Sequence, residues 1–421
     1  MNYKKITLRR GKEESLARRH PWIFSGAVDS AAEEIFEGDI VDVYSQGGDF
    51  LARGHSQVGS IAVRVLTFAD EAIDQTWWNE RILSAYKLRQ ALGLVGNSAP
   101  GADSKPGPGS RAGSDSGIAG TAAPTTAYRL VHGEGDLLPG LVVDIYGSTA
   151  VIQCHSVGMY FSRDFVAAAI GNAYGGKITA VFDKSSQTLP FKADIGAVDG
   201  YVVGSCHDQE QILENGYRFI VNWEKGQKTG FFIDQRENRE LVRRYAHGRK
   251  VLNTFAYTGG FSVYALSGGA VAVDSVDSSA RAIELAARNV GLNFGDKAPH
   301  RAIAEDAFDF LGKADAGQYD MIILDPPAFA KHHKVLGNAM QGYRRLNARA
   351  MQKIAPGGIL FTFSCSQAVS REMFRTMIFS AAAIAGRKVR ILHQLTQPAD
   401  HPINIYHPEG EYLKGLVLYV E

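Results

Sequence analysis

Residues 251–277, VLNTFAYTGGFSVYALSGGAVAVDSVD, constrain the fold of this chain more than any other stretch. They read as a buried strand (Val251–Phe255), a glycine turn (Thr258, Gly259, Gly260), a short helix, a second strand (Val271–Val276) and an acidic end, Asp277. A tight turn at the tip of one parallel strand, followed by a carboxylate at the tip of the next, is the pattern of a nucleotide half-site. Glycine lets backbone approach a ligand, and a carboxylate at the second tip can take both hydroxyls of a ribose. Gly-Gly between strand and helix is also a plain turn, so the pattern needs partners elsewhere in the chain.

The rhythm that follows supplies them. Strands are expected at 251–255, 271–276, 300–304, 321–324, 358–363, 387–395 and 415–420, with helices between most of them, such as Ser279–Val290. Seven strands alternating with helices predict a doubly wound α/β sheet that binds ligands at its strand C-termini. The last two strands lack a clear helix between them, which predicts an antiparallel final strand. Just upstream, Asp234 followed by Glu237 resembles a capping box opening a helix.

The N-terminal half reads differently. Residues 1–72 are expected to form a small β domain from short runs at Ile40–Val43, Phe50–Ala52 and Ile61–Leu66. Residues 73–93 predict a helix whose apolar face is Trp78, Ile82, Ala85, Leu88 and Leu92. A central helix and β-rich region then runs to about residue 196, with a further helix near Phe161–Ala173. Its stretch 96–126 is mostly Gly, Ser, Ala and Pro, with Ile118 its one large aliphatic residue, and reads as a flexible insertion. Asn215-Gly216 between apolar-rich runs is a hairpin signal. His132, Glu134 and Asp136 crowd one loop, but no second cluster of ligating residues accompanies them, so no metal is expected.

Charge and cysteine usage narrow the setting. Residues 1–20 hold seven cationic side chains against Glu13 and Glu14, a local net of +5 in a chain whose total is +1. Beside Trp22 and Phe24, such a patch suits phosphates and bases, or it is a solvated basic face. No apolar run reaches the ~18–20 residues of a membrane span, so no membrane partner is expected. Cys154, Cys206 and Cys365 stand far apart and fit neither a disulfide framework nor a zinc site. The natural home is a reducing cytoplasm.

The expected strand tips gather a constellation. The first ends at the Phe255–Gly260 turn, the second at Asp277, the third runs into Glu305-Asp306, the fourth into Asp325-Pro326-Pro327-Ala328-Phe329 and the fifth into Ser364-Cys365-Ser366. Two prolines fix a rigid extended turn without backbone donors. Such a turn can lie against a flat ring while the preceding carboxylate accepts from an amino group. A thiolate at the neighbouring tip is the usual nucleophile for C6 of a pyrimidine. Alternatively, Cys365 is a small buried residue at a strand end, the reading preferred for Cys154 and Cys206.

This combination resembles the class I S-adenosylmethionine-dependent methyltransferases and departs from dinucleotide dehydrogenases, whose full G-x-G-x-x-G spacing is absent. Over nearly its full length the chain resembles the bacterial large-subunit ribosomal RNA methyltransferase I family, which makes 5-methylcytosine in 23S rRNA. The matching stretches are LRRGKEESLARRHPWIFSGAV, YRLVHGEGDLLPGLVVDIY, KTGFFIDQRENR, VLNTFAYTGGFSVYA, LDPPAFAK and FTFSCS. The resemblance implies a PUA-like RNA-binding domain over 1–72, a central domain over 73–196 and a Rossmann-like methyltransferase domain over 197–421. It implies S-adenosyl-L-methionine as cofactor, held by Phe255, Tyr257, Gly259, Asp277, Asp306, Gln235 and Arg236. It also implies Cys365 as nucleophile and Asp325 on the cytosine edge, with Pro326, Pro327 and Lys331 at the base pocket. The family's dimeric habit carries over as an expectation without a signal in the sequence.

The chain departs from many RNA cytosine-C5 enzymes in having no cysteine beside the Asp-Pro-Pro prolines. Another group must then serve in product release, with Lys331 and solvent as candidates. Two other readings stay open: a methyltransferase acting on a base nitrogen of guanine or adenine, and a non-catalytic RNA-binding assembly factor that keeps a relic cofactor fold.

Overall fold

The computed structural model describes residues 3–95, 123–190, 195–206, 210–329 and 336–421. Most of the expected 96–126 insertion, and Lys331, lie outside the described residues. The chain divides into two compact units, residues 1–217 with 221–230, and residues 218–220 with 231–421.

Among the described residues the first unit holds two large sheets. A six-stranded sheet has the order Trp22–Phe24, Ile61–Thr67, Phe50–Ser56, Ile40–Tyr44, Lys4–Leu8, Val28–Ala31. Lys4–Leu8 pairs with Ile40–Tyr44 in parallel and the other pairings are antiparallel. One face buries Ile6, Leu8, Val41, Val43, Val63 and Val65, the alternating pattern of a sheet with one apolar side. A second sheet has the order Gly200–Val203, Ala180–Asp183, Thr149–Cys154, Leu141–Tyr146, Ala127–His132. Its edge strand Gly200–Val203 lies beyond residue 196, and the first unit continues past it.

Helices Gln75–Ala91 and Arg163–Ala173 cover this second sheet. The first of them corrects the expected apolar face. Trp77, Trp78, Ile82, Ala85 and Arg89 are buried, whereas Leu88 and Leu92 are each 38% exposed. Arg89 can be buried because its guanidinium is satisfied, with Nη2 donating to Asp136 Oδ2 at 2.8 Å and Nε to Arg129 O at 2.7 Å. The polar loop 132–136 is therefore structural glue: Asp136 holds Arg89, and Glu134 accepts from Trp22 Nε1 at 2.7 Å and Arg64 Nη1 at 2.8 Å. Asn215 and Gly216 both adopt positive φ, 48° and 82°, the geometry a two-residue hairpin turn demands.

The second unit is organised by one seven-stranded sheet. Its strands are β1 (Lys250–Thr254), β2 (Ala272–Asp277), β3 (His300–Ala304), β4 (Tyr319–Leu324), β5 (Ile354–Ser364), β6 (Val389–Leu395) and β7 (Lys414–Val420). The order is β3-β2-β1-β4-β5-β7-β6, with β1 to β5 parallel and β7 antiparallel to both its neighbours. Its helices are α1 (Arg236–Tyr245), α2 (Gly260–Ser267), α3 (Ala280–Phe294), α4 (Ala307–Lys313), α5 (Leu336–Lys353) and α6 (Arg371–Ala385).

The central strands are apolar on both faces, as strands covered by helices must be. Leu252, Ile322, Leu324, Leu360, Leu416 and Leu418 are buried with Leu346, Met351, Phe374 and Met377 from the helices above them. Truncating one of these leucines to alanine costs about 2–5 kcal/mol. The capping box expected at Asp234 does not form. A 3₁₀ turn (Ile233–Gln235) precedes α1, Gln235 is its N-cap without a side-chain cap bond, and Asp234 Oδ2 accepts from Tyr412 Oη at 2.8 Å instead.

Candidate active site

Because β1 to β5 are parallel, their C-terminal ends form one edge of the second unit. β7 runs the other way, so its first residue, Lys414, starts at that same edge, opposite Ser364.

The turn after β1 is conformationally costly. Phe255 (φ 56°), Tyr257 (φ 46°) and Gly259 (φ 76°) are all left-handed. For the two non-glycine residues this costs roughly 1–2 kcal/mol each, and such conformations cluster at functional sites. The surroundings hold the turn. Tyr257 N–H donates to Asp277 Oδ2 at 2.9 Å, and Asn289 Nδ2 to Thr258 O at 2.9 Å. Gly259 is required on two counts: its φ, and a Cβ that would lie 2.9 Å from the Ala286 Cβ of α3.

Asp277 ends β2 half-buried. Its Oδ1 accepts from Ser279 N–H at 2.9 Å, so each oxygen takes one backbone donor and keeps capacity for another. Asp306 is exposed and caps α4, and both cap bonds, from Phe308 and Asp309 N–H, fall on Oδ1. The donor set fits a nucleoside: two acceptor-only carboxylates at adjacent tips, β2 and β3, beside a turn whose backbone is left-handed. Phe232 packs edge-on to Tyr257 with centroids 5.1 Å apart, adding an aromatic wall.

The two residues before α1 diverge. Gln235 is buried, and its Nε2 donates to Asp325 Oδ1 at 3.0 Å while its Oε1 accepts from Asn238 Nδ2 at 2.6 Å. Arg236 instead pairs with buried Asp400 at 2.9 Å, and Asp400 also meets His401 Nδ1 at 3.1 Å.

Asp325 follows β4 half-buried. Pro326 is buried and Pro327 exposed, and the Phe329 ring packs tilted at 42° against Tyr343 of α5, centroids 4.6 Å apart. Cys365 follows β5, half-buried and outside any disulfide. Since Leu324 pairs with Thr362, Asp325 and Cys365 leave adjacent strand tips. Cys154, by contrast, is fully buried with its thiol pushed up to about 12 by burial, and Cys206 is half-buried rather than internal.

Two residues escaped the sequence reading. Lys414 is 3% exposed, and its Nζ donates to Ser366 O at 2.7 Å and Tyr412 O at 2.8 Å. Burial pushes its ammonium down to about 8, with a Cys365 thiolate and Glu411 acting upward and Arg371 downward. Tyr343 is fully buried, with its hydroxyl 3.0 Å from Ser366 Oγ and its phenol raised by burial. A lone lysine opening an apolar run (Lys414-Gly415-Leu416-Val417-Leu418) was the available signal, because an antiparallel last strand must begin at the ligand edge.

Comparison with known proteins agrees with this architecture. Residues 190–405 match the S-adenosylmethionine-dependent methyltransferase family, and residues 6–68 match a PUA-like domain. The chain is 38% identical over 424 residues to the ribosomal RNA large subunit methyltransferase I of Pseudoalteromonas atlantica, covering 99% of each chain. It is 39% identical over 419 residues to the protein of that name from Tolumonas auensis, covering 98% of each. Among solved structures, SMU.776, described as a methyltransferase complexed with SAH, has the same fold with a TM-score of 0.79 at 24% identity, over 99% of this chain and 100% of that one. The chain thus uses S-adenosylmethionine and belongs to the family of the large-subunit ribosomal RNA methyltransferase I proteins.

Proposed function

We propose that this protein methylates C5 of a cytosine in 23S ribosomal RNA through a covalent bond between Cys365 and C6 of the base. The reading is carried by one observation: Asp325 and Cys365 leave adjacent tips of β4 and β5, a carboxylate for the base edge beside a sulfur for its ring. The RNA substrate follows from the relatives, which are ribosomal RNA large subunit methyltransferase I proteins. The division of labour proposed is a PUA-like domain over 1–72 gripping phosphates without reading sequence, a central domain that begins at residue 73 and includes the edge strand Gly200–Val203, and a methyltransferase domain built on the seven-stranded sheet that receives the base out of its stack.

The cofactor would be held by the Phe255–Gly259 turn, Asp277 and Asp306, with Arg236 alongside, while the Gln235 amide is committed to Asp325 and Asn238. Bound there, S-adenosylmethionine supplies an electrophilic methyl group. The rest of the chemistry belongs to the chain. The Cys365 thiolate forms the Sγ–C6 bond, and C5 becomes electron-rich enough to take the methyl group. Asp325 holds the amino edge of the ring meanwhile. The C5 proton then passes to a base, the Sγ–C6 bond breaks, and its electron pair returns to sulfur.

RNA carrying 5-fluorocytidine tests this, because fluorine cannot leave C5 as a proton does and the adduct is trapped. A denaturation-resistant protein–RNA band is expected with the natural chain and none with Cys365→Ala. Full methylation of RNA by Cys365→Ala would sink the covalent route and favour transfer to a base nitrogen, which needs no thiolate.

A further inference from the structure

A lysine as buried as Lys414 is unusual, because an ammonium costs several kcal/mol to desolvate unless something offsets it. Two carbonyls, Ser366 O and Tyr412 O, offset part of that cost. Among the described residues Lys414 makes no salt bridge. Its Nζ is nonetheless anchored one peptide beyond Cys365, at the edge where β7 begins and β5 ends.

We propose that Lys414 is a positioning residue that holds Cys365 in its thiolate form. This rests on the reading of Cys365 as the nucleophile. Only a thiolate adds to the ring. The thiol proton goes to solvent, Lys414 keeps its own three hydrogens, and the Sγ electron pair forms the bond to C6. When that bond breaks, the pair returns to a sulfur in the field of the same ammonium. A stabilised thiolate also leaves faster, so one fixed charge serves both ends of the cycle in a chain without a cysteine beside its Asp-Pro-Pro turn.

The other groups around this pair are identifiable. Glu411 acts upward on Lys414 and is itself paired with Arg371, which acts downward. Tyr343 of α5 also interacts with Cys365. A lysine pushed down to about 8 is still mostly protonated at neutral pH. The field at sulfur is therefore present under working conditions.

Iodoacetamide alkylation of the full-length chain, followed by mass spectrometry at Cys365 between about pH 5 and 10, reads the thiol directly. The natural chain should titrate at least one unit below the ordinary ~8.5 of cysteine. Lys414→Met should raise the midpoint by a unit or more, so that alkylation at neutral pH falls about tenfold. Lys414→Arg, which keeps the charge, should stay within half a unit of the natural chain. Lys414→Gln keeps a donor for the carbonyls without the charge and should behave like Lys414→Met, which guards against a misfolded methionine variant. A natural midpoint at or above ~8.5, or equal shifts in the arginine and glutamine variants, overturns the proposal. An adduct with 5-fluorocytidine alongside an unshifted thiol sinks the role of Lys414 alone. A shifted thiol without an adduct sinks the nucleophile reading instead.

Discussion

Gln235 and Asp325 lie ninety residues apart in the chain, yet the Gln235 side-chain amide donates to Asp325 Oδ1 at 3.0 Å. The amide's orientation is fixed by Asn238, whose Nδ2 donates to Gln235 Oε1 at 2.6 Å. Only the NH₂ end of Gln235 can then face the carboxylate. The relay Asn238–Gln235–Asp325 thus ties the start of α1 to the tip of β4.

Breaking this relay should slow turnover without releasing cofactor. A hydrogen bond to a charged group is worth about 1.5–3 kcal/mol, so Gln235→Ala should lower kcat roughly 10- to 100-fold. The Kd for S-adenosylmethionine, read by calorimetry, should change by less than about threefold, because the wall formed by Asp277 and the β1 turn is untouched. Gln235→Glu should fare worse at alkaline pH, since two carboxylates at this distance cannot both stay charged cheaply. A kcat within a factor of about two of the natural value would show that Asp325 is oriented without Gln235.

The turn after β1 makes a different prediction. Gly259→Ala meets two penalties: a left-handed φ of 76° and a Cβ 2.9 Å from Ala286 Cβ. Together these should cost about 2–4 kcal/mol, a fall in Tm on the order of 5–10 °C for a unit of this size. Adding Ala286→Gly should relieve the contact but not the φ, recovering part of the loss. Complete recovery in the double variant would mean that the backbone conformation carries no cost.

How far such features were legible in sequence depended on how local their causes are. The seven strands of the second unit could be read because each is a short apolar run with turn residues at its ends, and the missing helix before β7 betrayed its reversed direction. Arg89 and Asp136 could not be read. Periodicity alone put Leu88 and Leu92 inside, whereas the burial of Arg89 depends on partners forty or more residues away. Asp234 failed as a cap because a 3₁₀ turn precedes α1 and puts Gln235 in the N-cap position. Lys414 was within reach of sequence reasoning, but its meaning depends on strand order, which places β7 beside β5 rather than at the sheet edge.

Acid should loosen the first unit through His55, although burial raises the carboxyls of Asp183 and Glu210, which act in the opposite direction. His55 is 1% exposed and its imidazolium is pushed down to about 4, mainly by burial and further by Arg64. Above about pH 6.5 His55 is neutral folded and unfolded and contributes no pH dependence. Between about 6.5 and 4 the unfolded chain binds protons that the folded chain refuses, so stability falls as pH falls. For His55 alone the loss approaches about 2–4 kcal/mol near pH 4. All four tryptophans (Trp22, Trp77, Trp78 and Trp223) belong to the first unit, so their fluorescence in urea reports that unit. His55→Gln should flatten the pH dependence, and an unchanged slope would remove His55 from the account.

The 96–126 insertion should be dispensable only up to its last few residues. Its final residues are built into the first unit. Thr126 N–H donates to Leu213 O at 2.8 Å and its hydroxyl accepts from Leu213 N–H at 2.9 Å. Thr125 Oγ1 accepts from Asn215 N–H at 2.9 Å, and Gly147 N–H donates to Thr126 O at 2.9 Å. If the segment is the insertion its composition predicts, replacing residues 97–121 with about ten residues of Gly and Ser should change only loop-closure entropy. That amounts to about 1 kcal/mol or less, because each doubling of loop length is worth ~0.6 kcal/mol. The tryptophan-monitored unfolding midpoint should therefore hardly move. Gly216 N–H also donates to Pro124 O at 2.9 Å and Thr125 Oγ1 to Asn215 Oδ1 at 3.2 Å, so extending the excision through Thr126 removes at least six hydrogen bonds of ~0.5–1.5 kcal/mol each and should cost about 3–9 kcal/mol. If both excisions destabilise the unit equally, the glycine- and serine-rich segment contributes contacts of its own and is no mere insertion.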